Sequence, residues 1–152
     1  MVNTIRQTKR RLGEILMDEG LLNETQVDEA LKRQKATGEL LGEALVKLGY
    51  VTEMDIARTL ATQFSYPFLD AMKYFVPPEV LRLVPVDKAL EHQMLPLDKM
   101  GKTLLLATAG VVPPEILEAL EKQTGLRIFL YVSTSTQILE AIKKNYKPPA
   151  KK

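Results

Sequence analysis

Leu12-Gly13-Glu14-Ile15-Leu16-Met17-Asp18-Glu19-Gly20 is answered 29 residues later by Leu41-Gly42-Glu43-Ala44-Leu45-Val46-Lys47-Leu48-Gly49. The match continues with Glu24 and Glu53, Leu31 and Leu60, and Gln34 and Gln63, giving eight identities in the 23 positions from 12 to 34. Unrelated segments of that length share roughly one or two. Each copy reads as a short helix, a turn and a longer helix. In the first, Leu12, Ile15 and Leu16 recur at helical spacing, Gly20 suits the left-handed position that ends a helix, and Asn23 caps the next helix with Gln26 reaching back. That helix follows Val27, Ala30 and Leu31 to about Gln34; its counterpart follows Thr52 and Asp55 through Ile56 and Leu60 to Gln63. Residues 1–65 are thus expected to form a four-helix unit of two related hairpins.

Leu12, Leu16, Leu31 and their partners Leu41, Leu45 and Leu60 read as core, and Gly20 and Gly49 as helix C-caps. Gly13 and Gly42 ask for more, since a glycine in a helix costs about 1 kcal/mol relative to alanine. Either something approaches the backbone there, or two helices pack closely; the residues alone leave both accounts open.

After Tyr66-Pro67 the pattern changes. Pro77-Pro78 opens a short helix through Val80, Leu81 and Val84, and another follows over about Asp87 to His92. Met94 to Lys99 and Thr103 to Thr108 are apolar runs around Met100-Gly101-Lys102, the pattern of two antiparallel strands and a tight turn. A helix from Pro113-Pro114 to Gly125, a strand over Arg127 to Val132 and an amphipathic helix over Thr134 to about Asn145 complete the series. The expected class is α+β: the helical unit, then over residues 66–146 a small α/β sandwich with helices covering one face of a three-stranded sheet, then a linker or disordered tail at 147–152.

The 152-residue chain has 45% hydrophobic and 26% charged residues and no cysteine, which excludes disordered and collagen-like classes and any disulfide framework. With one histidine as well, no metal site is expected, and a cytoplasmic location is the default. No apolar run approaches the roughly 20 residues that span a bilayer, and the basic start leads into no signal-like apolar segment. The net charge of +2 conceals a segregation: nine of the 21 bases lie in residues 1–11 and 143–152 without an acid, leaving 12 against all 19 acids between them. The basic balance therefore describes two ends and not a surface, and nucleic acid is not an expected partner.

No catalytic constellation is present, and the chain is not expected to be an enzyme. Gly101-Lys102-Thr103 imitates the end of a phosphate-binding loop, but Pro96 stands where that loop needs its first glycine, and a hairpin turn is the simpler reading. His92 falls at a helix end, in a capping or solvated role. A binding site is the remaining candidate. Arg11, behind Arg10, precedes the first Leu-Gly at a helix start, where free N–H groups and the dipole favour an anion; an arginine also stacks on purines or reads the guanine edge. The alternative is that both arginines belong to a solvated basic arm.

The doubled pattern R-L-G-x-x-L-x-x-x-G-x-x-x-x-x-x-L-x-x-x-L-x-x-Q, with Lys35 to Glu39 as spacer, resembles the MshEN-type cyclic di-GMP-binding domain at the N-terminus of type II secretion and type IV pilus assembly ATPases. The copies are Arg11-Leu12-Gly13, Leu16, Gly20, Val27, Leu31, Gln34 and Leu40-Leu41-Gly42, Leu45, Gly49, Ile56, Leu60, Gln63. Tyr66-Pro67-Phe68-Leu69-Asp70, Leu95-Pro96-Leu97 and Thr124-Gly125-Leu126 extend the likeness over nearly the whole chain. The resemblance implies a non-catalytic regulatory module in which each copy holds half of a cyclic di-GMP. Arg11, with Arg10 beside it, would engage a guanine or phosphate, Leu12 and Leu41 would pack on the ligand, Gly13 and Gly42 would admit it, and Gln34 and Gln63 would supply polar contacts. Leu16, Gly20, Leu45 and Gly49 complete the implied motif. It equally implies docking to the machinery, either the assembly ATPase or an inner-membrane platform protein, and docking without nucleotide is the rival function. Two departures stand out: Leu40 replaces the arginine of the first copy, and Ala109-Gly110-Val111 replaces an Asp-Pro common in relatives. No Walker motif follows, as for a stand-alone regulator or an excised domain.

Overall fold

A computed structural model of the chain describes residues 12–146. The repeat folds as two helix pairs: α1 (Leu12–Asp18) with α2 (Glu24–Thr37), and α3 (Leu41–Lys47) with α4 (Glu53–Phe64). The punctuation matches the residues. Gly20 and Gly49 adopt left-handed backbones at φ 80° and 83°, and each long helix starts in a capping box. Asn23 Oδ1 accepts from Gln26 N at 2.9 Å, and Thr52 Oγ1 accepts from Asp55 N at 3.0 Å. One boundary differs from the sequence reading: α2 continues a turn past Gln34 to Thr37 and is closed by Gly38 at φ 80°. Gln34 is therefore inside its helix, while Gln63 is next to the last residue of its own.

Beyond α4 come a 3-10 turn (Ala71–Lys73), α5 (Pro78–Leu81), α6 (Val86–His92), β1 (Met94–Met100), β2 (Thr103–Thr108), α7 (Pro114–Thr124), β3 (Arg127–Val132) and α8 (Ser135–Asn145). The sheet order is β1-β2-β3, antiparallel then parallel, with α7 as the crossover of a βαβ unit. Gly101 at φ 61° and Lys102 make the hairpin turn between β1 and β2, which settles the phosphate-loop imitation in favour of a turn. Leu104, Leu106, Ile128, Leu130 and Val132 alternate onto one deeply buried sheet face, whereas Leu105, Phe129 and Tyr131 on the other are half-buried. Helices thus cover mainly one face.

The halves are joined firmly. Ser65, at φ 57°, ends α4, after which Pro67 to Leu69 run beside β3: Leu69 N donates to Val132 O and Val132 N to Pro67 O, both at 2.9 Å. The buried apolar residues of both halves form one continuous cluster, from Leu16 and Leu45 through Leu60 to Leu97, Leu106 and Ile138. Among the described residues no helix is long and apolar enough to cross a membrane.

Candidate functional site

The site grows from the two glycines. A Cβ on Gly13 would stand 3.1 Å from Val27 Cγ1 and 3.6 Å from Leu41 Cδ2; on Gly42 it would stand 3.4 Å from Ile56 Cδ1 and 3.5 Å from Leu12 Cδ2. The contacts are reciprocal: each glycine faces the long helix of its own copy and the first leucine of the other. Close packing of the helices therefore accounts for both glycines on their Cβ side. The same pseudo-twofold arrangement packs α2 on α3 and α1 on α4, so the end of one copy's long helix meets the other copy's short helix.

A cleft of about 1250 Å³ opens between the helical half and the sheet half. On the helical side it is lined by Leu12, by Leu31 and Gln34 of α2, by Leu40 to Glu43 with Val46 and Lys47, and by Glu53 and Ile56. The facing wall brings His92 and Gln93 at the end of α6, Ala109 to Val111 after β2, Pro113-Pro114, and Ser135 and Thr136 at the start of α8. Thr136 ties the walls together, since its N–H and hydroxyl both donate to the Glu53 carboxylate, at 2.9 and 2.7 Å.

Of the residues singled out by sequence, Leu12, Gln34, Leu41 and Gly42 come together at this cleft. Others do not reach it. Leu16 and Leu45 are fully enclosed in the core, where their role is packing. Gly20 and Gly49 serve turns that need a left-handed residue. Gly13 is buried under Val27 and Leu41. Gln63 donates its amide to Glu19 on the far end of α1. Arg10 and Arg11 lie outside the described residues. Leu31, expected in the core, is 37% exposed on the cleft, whereas its equivalent Leu60 is 1% exposed. The difference follows from the neighbours: α4 packs on β3, whereas α2 packs chiefly on α3.

Of the facing wall, the sequence marks only the Ala109-Gly110-Val111 loop, as a departure from the family pattern. His92 is not a solvated cap: it lines the cleft, with Nε2 buried and without a hydrogen-bond partner among the described residues. Gln93 is 5% exposed in a left-handed backbone at φ 51°, and its Oε1 accepts from Ser135 Oγ at 2.8 Å. A non-glycine residue held in that region costs of order 1 kcal/mol or more and signals a position fixed by its surroundings. The only signal in the sequence was polarity just before an apolar strand.

Charge on the lining is mixed. Glu43, Glu53, Glu91, Glu115 and Glu118 contribute carboxylates, and Lys47 is the one lysine or arginine among the described lining residues. Glu43 is engaged, its Oε1 accepting from Leu40 N at 3.0 Å at the start of α3. Lys47 Nζ lies 2.6 Å from Glu39 Oε2, and Arg33 Nε lies 2.9 Å from Glu39 Oε1. The hydrogen bond from Arg33, then that from Lys47, holds the Glu39 carboxyl down to about 2 from 4.5.

With this geometry established, comparison with known proteins places the fold. The chain belongs to the MshEN domain family, whose profile matches residues 64–151. It is 34% identical over 139 residues to the type IV pilus assembly ATPase PilB of Thermus thermophilus, covering 90% of this chain and 16% of that protein. It is 28% identical over 145 residues to type II secretion system protein E of Xanthomonas campestris, covering 93% of this chain and 26% of that protein. The chain thus spans about a sixth to about a quarter of the length of these relatives. Among solved structures it is similar to MshE with cdg (cyclic di-GMP), with a TM-score of 0.66 and 29% identity over 91% of this chain and all of that one.

Proposed function

We propose that the chain is a non-catalytic, cytoplasmic regulatory module of a type II secretion or type IV pilus ATPase system, and that it binds cyclic di-GMP in the cleft between its helical and sheet halves. The observation that carries this reading is the convergence of Leu12, Leu41, Gly42 and Gln34, residues of the doubled motif, on one cleft large enough for a dinucleotide. The chemistry is suitable. Apolar Leu12, Leu31 and Leu41 offer surface to guanine faces. Carboxylates accept from the N1–H and amino group of guanine, so glutamates on the wall are compatible with a purine as long as cations meet the phosphates. Arg10 and Arg11 lead directly into Leu12 and are the natural source of those cations.

Calorimetric titration of the chain with cyclic di-GMP tests the reading. Saturable heat is expected, weakened by about 1–3 kcal/mol in Arg11→Ala. A folded chain that gives no heat at high micromolar ligand overturns it. One observation favours a second reading, in which the cleft docks a basic segment of the secretion or pilus machinery without nucleotide: the facing wall carries Glu91, Glu115 and Glu118. Capture of an inner-membrane platform protein that survives Arg11→Ala and Gln34→Ala but is lost on neutralising those three glutamates would select it.

A further inference from the structure

The two copies differ most in charge around one position. In the 29-residue register Arg11 stands against Leu40, Arg10 against Glu39, and Asp18 against Lys47. The second copy thus lacks both arginines of the first and carries a lysine at the other end of its short helix. That helix rises about 10 Å over its length at about 1.5 Å per residue. Lys47 Nζ nevertheless reaches Glu39 Oε2 at 2.6 Å, because the two side chains meet along the flank of α3. The ammonium is thereby displaced from the end of α3 toward its start, where Leu40 is, and Leu40, Leu41 and Lys47 all line the cleft. Removing Lys47 from Glu39 would not strand a carboxylate, since Arg33 Nε holds the other oxygen at 2.9 Å. The Lys47 side chain is 57% exposed, so moving it costs little.

We infer that Lys47 supplies the phosphate-contacting cation of the second half of the site, in place of an arginine at position 40, and that Glu39 restrains it until the ligand's phosphodiester competes for it. This rests on the cyclic di-GMP reading. The trio Arg33, Glu39 and Lys47 has one positive charge in excess. Neutralising Glu39 raises the excess and neutralising Lys47 abolishes it, so the two changes must act on an anion in opposite directions.

The test is calorimetric titration of the full chain with cyclic di-GMP at low and high salt, with thermal melts to verify folding. Lys47→Gln is expected to weaken binding about 5- to 10-fold and to flatten its salt dependence. Leu40→Arg added to Lys47→Gln should restore most of the loss, which a merely structural role for Lys47 would not allow. Glu39→Gln should tighten binding about 2- to 5-fold. Wild-type chain that folds and gives no heat overturns the cyclic di-GMP reading and this inference with it. Binding that ignores Lys47→Gln, or a Lys47→Gln defect that Leu40→Arg leaves unrepaired, overturns this inference alone.

Discussion

The two copies of the repeat are the same at their turns and different at their outer faces. Asn23 and Thr52 cap their helices alike, and Gly13 and Gly42 accept each other's leucines. Leu31 and Leu60, Gln34 and Gln63, and Asp18 and Lys47 are equivalent in register but meet different surroundings. The lesson is that a repeat copies the scaffold, while the partner packed beside it assigns the use. The sheet half covers α4 and buries Leu60, while α2 is left to line the cleft.

Four experiments would break or sharpen this comparison. The largest effect belongs to the buried leucine: Leu60→Ala should cost about 2–5 kcal/mol of stability in chemical denaturation, and Leu31→Ala less than about 1. Equal losses would mean that the copies share one environment after all. Next, Gln34→Ala should weaken cyclic di-GMP binding by up to about 1.5 kcal/mol, whereas Gln63→Ala, whose amide is taken by Glu19, should leave affinity unchanged in calorimetry. The caps probe the shared part. Asn23→Ala and Thr52→Ala should each lower stability by about 1 kcal/mol, and a clear inequality would break the equivalence of the two turns.

The smallest effect is the pH dependence that the second copy draws from Glu39. Its carboxyl is held at about 2 in the fold against 4.5 otherwise, so its contribution is complete above pH 4.5 and is lost as pH falls toward 2. Wild type should therefore exceed Glu39→Gln in denaturation midpoint at neutral pH, and the gap should close over that window. A gap that persists at pH 2 would remove the ionic role of Glu39.

Local structure was largely legible in the residues. Cap chemistry at Asn23 and Thr52, the helix-ending glycines at 20, 49 and 125, and the apolar runs either side of Gly101 all act within a few residues, and each element they predict is present. What escaped depends on distant partners. A 29-residue period identifies Gln34 with Gln63 but says nothing of α2 packing on α3, which brings residues of both copies to the cleft. The Glu39 and Lys47 pair falls outside the usual i, i+3 and i, i+4 helix spacings because Glu39 precedes the helix. His92 and Gln93 line the cleft only because the sheet half packs back against α4.

One contact has a mechanical side. Glu53 is the first residue of α4 and Thr136 the second of α8, so their paired hydrogen bonds act as a strut of fixed length between the opposing banks of the cleft. The width of the opening is then gauged by one carboxylate at its edge. Shortening that strut by a methylene, as in Glu53→Asp, either draws the banks together or lets the strut part, while every other residue lining the cleft is unchanged.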